Sequence, residues 1–301
     1  MMAKSSKQIL RILSAAILVF LLIPGSVVQA QVDSSSHVNK KRLNTLIIGT
    51  SAAYVGTMIG LNEIWYSDFE RQSFTFFNDN NEWKQMDKWG HFYSAFQLSN
   101  LGSRGLQWSG VAPTKSDKIA ALTSFLMISS IEVFDGFSSG YGASIGDLLA
   151  NALGSGFYLG QQLLWKETRL HPKFSFHRTE YADLRPDVLG SSLIEQVIKD
   201  YNGQTYWVSV DADKFLRFPK WLNLGIGYGA NGMVYATDEV NEANGYNAYR
   251  QYFLSLDFDV TAIKTNSKAV KTLLFFLNMI KIPGPTLEFS NGEVKAYAFY
   301  F

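Results

Sequence analysis

Hydrophobic and polar positions along this chain follow two different periods, and the change falls near residue 165. Before it, long uncharged runs recur at helical length. The stretch Leu43–Asn62 carries no charge and holds Leu46, Ile47, Ile48, Val55, Met58 and Ile59 among small residues. Gly49, Ala53, Gly56 and Gly60 recur there at a spacing that lets two helix backbones approach closely. A second helix is predicted from Met86 to about Asn100, a third over Ser116–Glu132, and a fourth over Ser144–Trp165, where Gly156 and Gly160 repeat the close-packing spacing. Two of these runs approach the ~20 residues of a bilayer span. They read as a Gly-rich helical bundle, packed in the periplasm or half sunk in a membrane.

After Trp165 the texture changes. Residues 166–190 are mixed and read as a long connection. Ser192 and Glu195 form the S-x-x-E pattern that opens a helix, expected to end near Gly203. From Tyr206 onward the pattern is mostly that of strands: Tyr206–Val210, Trp221–Tyr228, Tyr249–Val260, Pro285–Phe289 and Val294–Phe301. Tyr252, Leu254, Leu256 and Phe258 alternate with Ser255, Asp257 and Asp259, the period of a half-buried strand. Ser267–Ile280 breaks the series with a helical spacing that Pro283 stops. The predicted fold class is α+β: a helical core over residues 43–165, a connection with a short helix over 166–205, and a small antiparallel β-rich domain over 206–301.

The first thirty residues read as an address. Lys4, Lys7 and Arg11 precede an apolar run from Ile12 to Ile23, which Pro24 and Gly25 break. Val28-Gln29-Ala30 then places small residues where a signal peptidase reads. Residues 31–42 form a polar leader. The protein is therefore expected to be exported, to the periplasm or the periplasmic face of a bacterial membrane.

Composition narrows the function classes. The 301 residues carry 27 Lys and Arg against 26 Asp and Glu, a balance that excludes the basic surplus of a nucleic-acid protein. Nucleotide binding is not expected either. Gly227-Tyr228-Gly229-Ala230-Asn231-Gly232 spells G-x-G-x-x-G, but no helix follows it. A turn between strands accounts for it, and Asp238, Glu239 and Glu242 read as a solvated loop. There is no cysteine, which removes disulfides, thiolate metal sites and thioether-linked lipid, so the protein is expected not to be a lipoprotein. Gly142-Ala143-Ser144-Ile145-Gly146 matches G-x-S-x-G, but a helix end precedes it rather than a strand, so Ser144 reads as a helix N-cap.

The remaining charges are concentrated at helix ends. Asp87 and His91 stand four apart on one helical face, with Lys88 beside them. Glu132 and Asp135 close the third helix, and Asp147 and Asn151 lie in the first turns of the fourth. An apolar helix does not tolerate an unpaired charge, because desolvation costs several kcal/mol per ion. Three readings stand. These groups form a structural polar network, with Lys88 and His91 neutralising carboxylates. Or they hold a divalent metal, through His91, Glu132, Asp135 and Asp147 as ligands to Zn, Mn, Mg or Ca. Or they are catalytic: His91 with Asp87, Glu132, Asp135 and Asp147 doing acid–base work on a lipid or cell-wall substrate, in a hydrolase or transferase. Lys88, Ser139, Ser144 and Asn151 are the accompanying candidate binding residues.

The run DKWGHFYSAF, followed by EVFDGFSSGYGASIGDLLANALG, resembles the YfiM-like family of predicted periplasmic lipoproteins. The D-K-x-x-H, E-x-x-D and G-D-x-x-x-N-x-x-G elements are also similar, more loosely, to VanZ-like membrane proteins, which carry Arg where this chain has Ser139 to Ser144. The resemblance covers roughly residues 85–165 and falls on Asp87, Lys88, His91, Glu132, Asp135, Asp147 and Asn151. It implies an envelope protein of uncharacterised activity. The alternating Tyr297, Phe299 and Phe301 at the C-terminus read as a buried strand closing a small sheet. The alternative is an aromatic face on the membrane interface. A membrane or outer-membrane interface is thus the expected partner, and protein partners are not specified.

Overall fold

The computed structural model describes residues 38–66 and 69–301, so the signal-peptide reading of residues 1–30 lies outside the described residues. The chain is α+β, with helices over 40–165 followed by a six-stranded antiparallel sheet. It divides into two compact units. A helical unit takes the chain up to Asn78 together with Ser94–Leu164, and a sheet unit takes Asp79–Tyr93 with Trp165–Phe301.

Four helices build the helical region. α1 (Lys40–Leu61) starts at Asn39, whose side chain accepts from the Arg42 N–H at 3.1 Å. α2 (Met86–Trp108) begins in the sheet unit and continues into the helical unit. α3 (Pro113–Gly136) has proline in its first turn, where no N–H is needed. α4 (Ile145–Trp165) is capped by Ser144, whose Oγ accepts from the Asp147 N–H at 3.1 Å, as the sequence reading expects. α1 and α3 share an apolar cluster of Tyr54, Met58, Tyr66 and Phe134. A second apolar cluster gathers Leu106, Val111 and Ala120 against Leu43, Leu46 and Ile119, and polar groups fasten the helices as well. Ser103 Oγ (α2) and Tyr158 OH (α4) both donate to the buried Asp117 carboxylate (α3), at 2.6 and 2.9 Å. Ser124 Oγ donates to the Ala95 carbonyl at 2.7 Å.

The polarity of α4 is reversed from that of a helix in a water-soluble bundle. Asp147, Asn151, Ser155 and Gln161 are buried, while Leu149, Leu153 and Leu164 are 60%, 65% and 76% exposed. α1 likewise leaves Ile48 69% exposed. The small-residue spacings do not mediate packing within the described chain: a Cβ built on Gly49, Gly56, Gly60, Gly156 or Gly160 meets nothing within 4 Å. The close approach occurs at Gly102, where a Cβ would stand 3.3 Å from that of Ala120.

The sheet unit is a meander with strand order β1 to β6: Leu170–Phe176, Gln204–Val210, Leu222–Asn231, Tyr249–Phe258, Gly284–Ser290 and Glu293–Tyr300. α5 (Leu193–Lys199) joins β1 to β2, and α6 (Lys268–Leu277) lies between β4 and β5. Ser192 caps α5 as its S-x-x-E pattern predicts, and Ser267 caps α6. The sheet curls strongly. Tyr300 of β6 lies 6.0 Å from Trp207 of β2 and 4.7 Å from Phe253 of β4, ring to ring. Phe174 of β1 pairs with Ile280, just ahead of β5. A Cβ on Gly227 would come within 2.6 Å of the Trp207 indole, so glycine is what lets that ring fill the hollow.

Inside the curl the side chains are largely polar. Gln251, Phe253, Ser255 and Asp257 of β4 are buried, whereas Tyr252, Leu254 and Leu256 face out. Lys173 and Asp257, both 0% exposed, pair at 2.7 Å. Lys173 Nζ also donates to Phe258 O and Asn278 Oδ1, each at 3.0 Å. Lys281 donates to the Leu256 and Ile282 carbonyls and sits 5.1 Å from the centre of the Trp207 ring. Burial pushes its ammonium down from 10.5 to about 8, against the pull of Asp257. Burial would raise the Glu288 carboxyl, but hydrogen bonds from Gln251, Ser290 and Tyr297 hold it below its ordinary value.

Several sequence expectations are corrected. The connection over 166–190 contains β1, whose residues are too mixed to show an apolar alternation because its inner face carries Lys173 and Ser175. The G-x-G-x-x-G run is not a turn. It lies in β3 up to Asn231, and only Gly232, at φ +78°, leaves the strand. Asp238–Ala243 is a short helix rather than a loop. The C-terminal strand is an exposed edge, not a buried closing strand, with Phe299 80% exposed.

Replacing Asp257 with Ala leaves the Lys173 ammonium buried without its counter-charge, and is expected to cost about 3–5 kcal/mol in urea denaturation. Lys281 supplies a pH test. With its folded value depressed, the unfolded chain binds more protons between about pH 8 and 10.5, so this group makes stability rise with pH across that window. The Lys281→Met variant is expected to lose that rise relative to wild type, measured by denaturation at pH 7.5 and 10.

Candidate functional site

The segment that delivers Asp87, Lys88 and His91 begins with a left-handed turn. Trp83, Lys84 and Gln85 have φ of 46°, 51° and 62°, each disfavoured by roughly 1–2 kcal/mol for an L-residue. Partners on every side hold the turn. Trp83 N–H donates to Ala236 O at 2.7 Å, Lys84 Nζ reaches Asp238 at 2.6 Å, Tyr228 OH donates to Lys84 O, and Arg250 donates to Gln85 Oε1 at 2.8 Å. The first turns of α2 then lie on the outer face of the sheet, with Met86 fully buried in a cluster with Tyr206, Ala230 and Met233. Gly90 fits there because a Cβ would sit 3.0 Å from the Tyr206 hydroxyl.

This anchoring aims one polar face of α2. Lys88 Nζ lies 2.6 Å from Asp79 Oδ1 and 2.9 Å from Asp87 Oδ2, all three side chains being mostly buried. Oxygens of the two carboxylates come within 4.8 Å of each other, and the ammonium bridges them. Burial raises the Asp87 carboxyl and Lys88 pulls it back, leaving it above its ordinary value. Asp79 is the residue sequence reasoning missed, since it lies seven positions ahead of α2 and outside any helical spacing. His91 follows Asp87 by one turn on the same face and is half-buried.

In the helical unit the residues at the end of α3 and the start of α4 are tied through Ser144. Its backbone N–H donates to Glu132 Oε2 at 2.8 Å, while its Oγ caps Asp147. Glu132 and Asp147 are 2% and 5% exposed, and carboxylate oxygens of the two lie within 4.8 Å. Two carboxylates this close and this dry do not both stay ionised without positive charge beside them. That charge is a shared proton, a cationic side chain or a metal ion. The buried Asn151 donates to Ser129 Oγ at 3.3 Å. Asp135 accepts from Tyr66 OH at 2.6 Å. Ser139 is exposed, and its backbone N–H bonds to Glu70 O at 2.9 Å, so it works as a loop tie. The structure thus shows two acidic pairs: Asp87 with the unpredicted Asp79, bridged by Lys88, and Glu132 with Asp147, clasped around Ser144.

A second feature lies at one end of the curled sheet. A cavity of about 460 Å³ is lined by His177, Tyr249, Glu288, Lys295, Tyr297 and Tyr300, among others. Burial lowers the His177 imidazole. Glu288 already accepts from Gln251, Ser290 and Tyr297, so it serves as a satisfied wall rather than a free acid or base. The alternation of Tyr297 and Phe299 was the sequence signal for this region, but it did not locate the hollow.

Residues 75–161 carry both acidic pairs. A family model matches this same stretch. It is similar to the family described as predicted periplasmic lipoprotein (DUF2279). The DUF2279 stretch is under a third of the chain and excludes the sheet. Comparison with curated proteins and with solved structures finds no match. The DUF2279 match supports an uncharacterised periplasmic family and fits an exported protein. It corrects the expectation that the protein is not a lipoprotein: the family is described as one, and an argument from cysteine content speaks of one anchoring chemistry only.

Replacing Lys88 with Met leaves Asp79 and Asp87 facing each other. The variant is expected to lose about 3 kcal/mol at pH 7 and to recover part of it at pH 5, where a proton replaces the ammonium. Chemical denaturation at the two pH values checks this.

Proposed function

We propose that the protein is an exported envelope protein whose helical unit is seated in a membrane and holds a buried divalent-cation site. The observation that carries the membrane reading is the reversed polarity of α4, with Asp147, Asn151, Ser155 and Gln161 inside and Leu149, Leu153 and Leu164 outside. In water that arrangement exposes apolar surface and desolvates polar groups. In lipid it is the favourable one, because helix association there runs on small and hydrogen-bonding residues. The segments Lys40–Tyr66 and Pro113–Gly136 are long and apolar enough to cross a bilayer by length and composition. The signal peptide over residues 1–30 and the finer resemblance to YfiM-like and VanZ-like sequences belong to the same proposal.

The cation reading rests on the Glu132–Asp147 pair. Asp135, which accepts from Tyr66, lies one turn after Glu132 on the same helix. A carboxylate set suits Mg, Ca or Mn, and Zn also accepts carboxylate oxygen. The order E-x-x-D, G-D-x-x-x-N within the matched stretch supports treating Glu132, Asp135, Asp147 and Asn151 as one set. The hydrolase or transferase alternative gains no support from the comparisons and is carried no further.

Two measurements test the proposal. Membranes washed with alkaline carbonate are expected to retain the protein, and detergent to release it; recovery in the wash refutes the membrane seat. Purified protein dialysed against Mg, Ca, Mn or Zn is expected to keep about one ion per chain, and the Glu132→Gln and Asp147→Asn variants to lose at least tenfold in affinity. Wild-type protein that retains none of the four ions overturns the cation site.

A further inference from the structure

The sheet unit has its own reversed polarity, on residues separate from the helical unit. Leu224 and Ile226 of β3, Leu254 and Leu256 of β4, and Leu287 and Phe289 of β5 point outward, between 37% and 61% exposed. They are neighbours across the ladder: Leu224 pairs with Leu256, Ile226 with Leu254, and Leu254 with Leu287. The face carries no charge between Leu222 and Tyr228, nor between Tyr252 and Phe258 on its outward positions. The carboxylates of these strands point inward instead, as Asp257 and Glu288, and the one outward ion, Arg250, lies at the far end of β4, bonded to Gln85. A sheet that buries a Lys–Asp pair and leaves leucine outside is arranged for an apolar surrounding, in the manner of strands that face lipid.

Charge identifies that surrounding further. The β2–β3 and β4–β5 connections leave the same end of the meander. They carry the exposed Arg217, Lys220, Lys264, Lys268 and Lys271, against Asp213 and Asp259. Trp221 stands at this end, 53% exposed and stacked on Phe258. α6 lies there too, with Leu273 and Phe276 exposed beside Lys268 and Lys271. Basic residues beside exposed apolar side chains on a short amphipathic helix are the signature of an interfacial element on anionic lipid. The opposite end, by contrast, carries Asp238, Glu239, Glu242 and Glu293.

We propose that the outer face of β3–β5 docks into the surface of an anionic lipid bilayer, acyl chains meeting Leu224, Ile226, Leu254 and Leu287 and headgroup phosphates meeting the basic end. The commitment is to lipid rather than to a second copy of the chain, because a protein partner of the apolar face would leave the basic fringe without its counter-charge. This goes beyond the membrane seat of the helical unit, since it assigns a second, independent attachment on the sheet.

The lack of cysteine makes the test direct. Full-length Ile226→Cys, Leu254→Cys and Glu239→Cys variants, each labelled with one environment-sensitive dye, are reconstituted in vesicles containing phosphatidylglycerol. The expected result is a blue shift at positions 226 and 254, with quenching by brominated acyl chains at least threefold greater than at position 239. A Lys268→Glu/Lys271→Glu pair is expected to halve that quenching at position 226. Dyes at 226 and 254 that stay water-like on vesicle-bound protein overturn the proposal while leaving the helical seat intact. Protein that fails to bind vesicles at all overturns both. A blue shift that depends on protein concentration and resists the brominated lipid overturns it in favour of an interface between copies.

Discussion

Lys173 and Asp257 meet at 2.7 Å with neither exposed to solvent, and the sheet unit is arranged around that contact. A charge removed from water has to find its partner inside the fold, and each partner here sits on a different strand. Lys173 comes from β1 and Asp257 from β4, so the sheet has to curl for the pair to form. The curl in turn needs Gly227, which makes room for Trp207, and it brings Lys281 over the indole ring. The hydrogen bonds on Glu288 extend the same interior toward β6.

The helical unit solves the same problem with other residues. Asp117 collects Ser103 and Tyr158 from two neighbouring helices, and Glu132 and Asp147 are tied through the cap of α4. In each case a carboxylate is the point where separate elements are fastened. Small residues around it let the helices come close enough, as Gly102 does against Ala120. What lies outside these polar interiors is leucine, isoleucine and aromatic surface. A protein built this way places its specificity of packing in polar contacts inside and leaves apolar side chains on the outside.

The candidate site was legible in outline. Asp87, Lys88 and His91 declared themselves by helical spacing, and Glu132, Asp147 and Asn151 by being charged or polar in apolar helices. Their particular pairings were not legible: Asp87 meets Asp79 across the left-handed turn at Trp83–Gln85, Glu132 meets Asp147 through the Ser144 cap, and no spacing rule anticipates either. Ser139 shows the converse: it stands in the right stretch of sequence, yet its backbone is spent on Glu70 and its side chain is exposed.

Periodicity determined which segments are helix and which are strand, because the 3.6- and 2-residue repeats follow from backbone geometry and survive any packing. It placed five of the six strands and all four long helices, and it missed β1, whose inner face carries a lysine and a serine where an apolar residue was sought. A period carries no sign, however. The alternation in β4 and the stripe on α4 are the same whether the apolar side faces in or out. Only the tertiary structure decided that, by bringing Lys173 to Asp257 and Glu132 to Asp147. Once those charges were enclosed, the opposite faces of the same elements had to be the exposed ones.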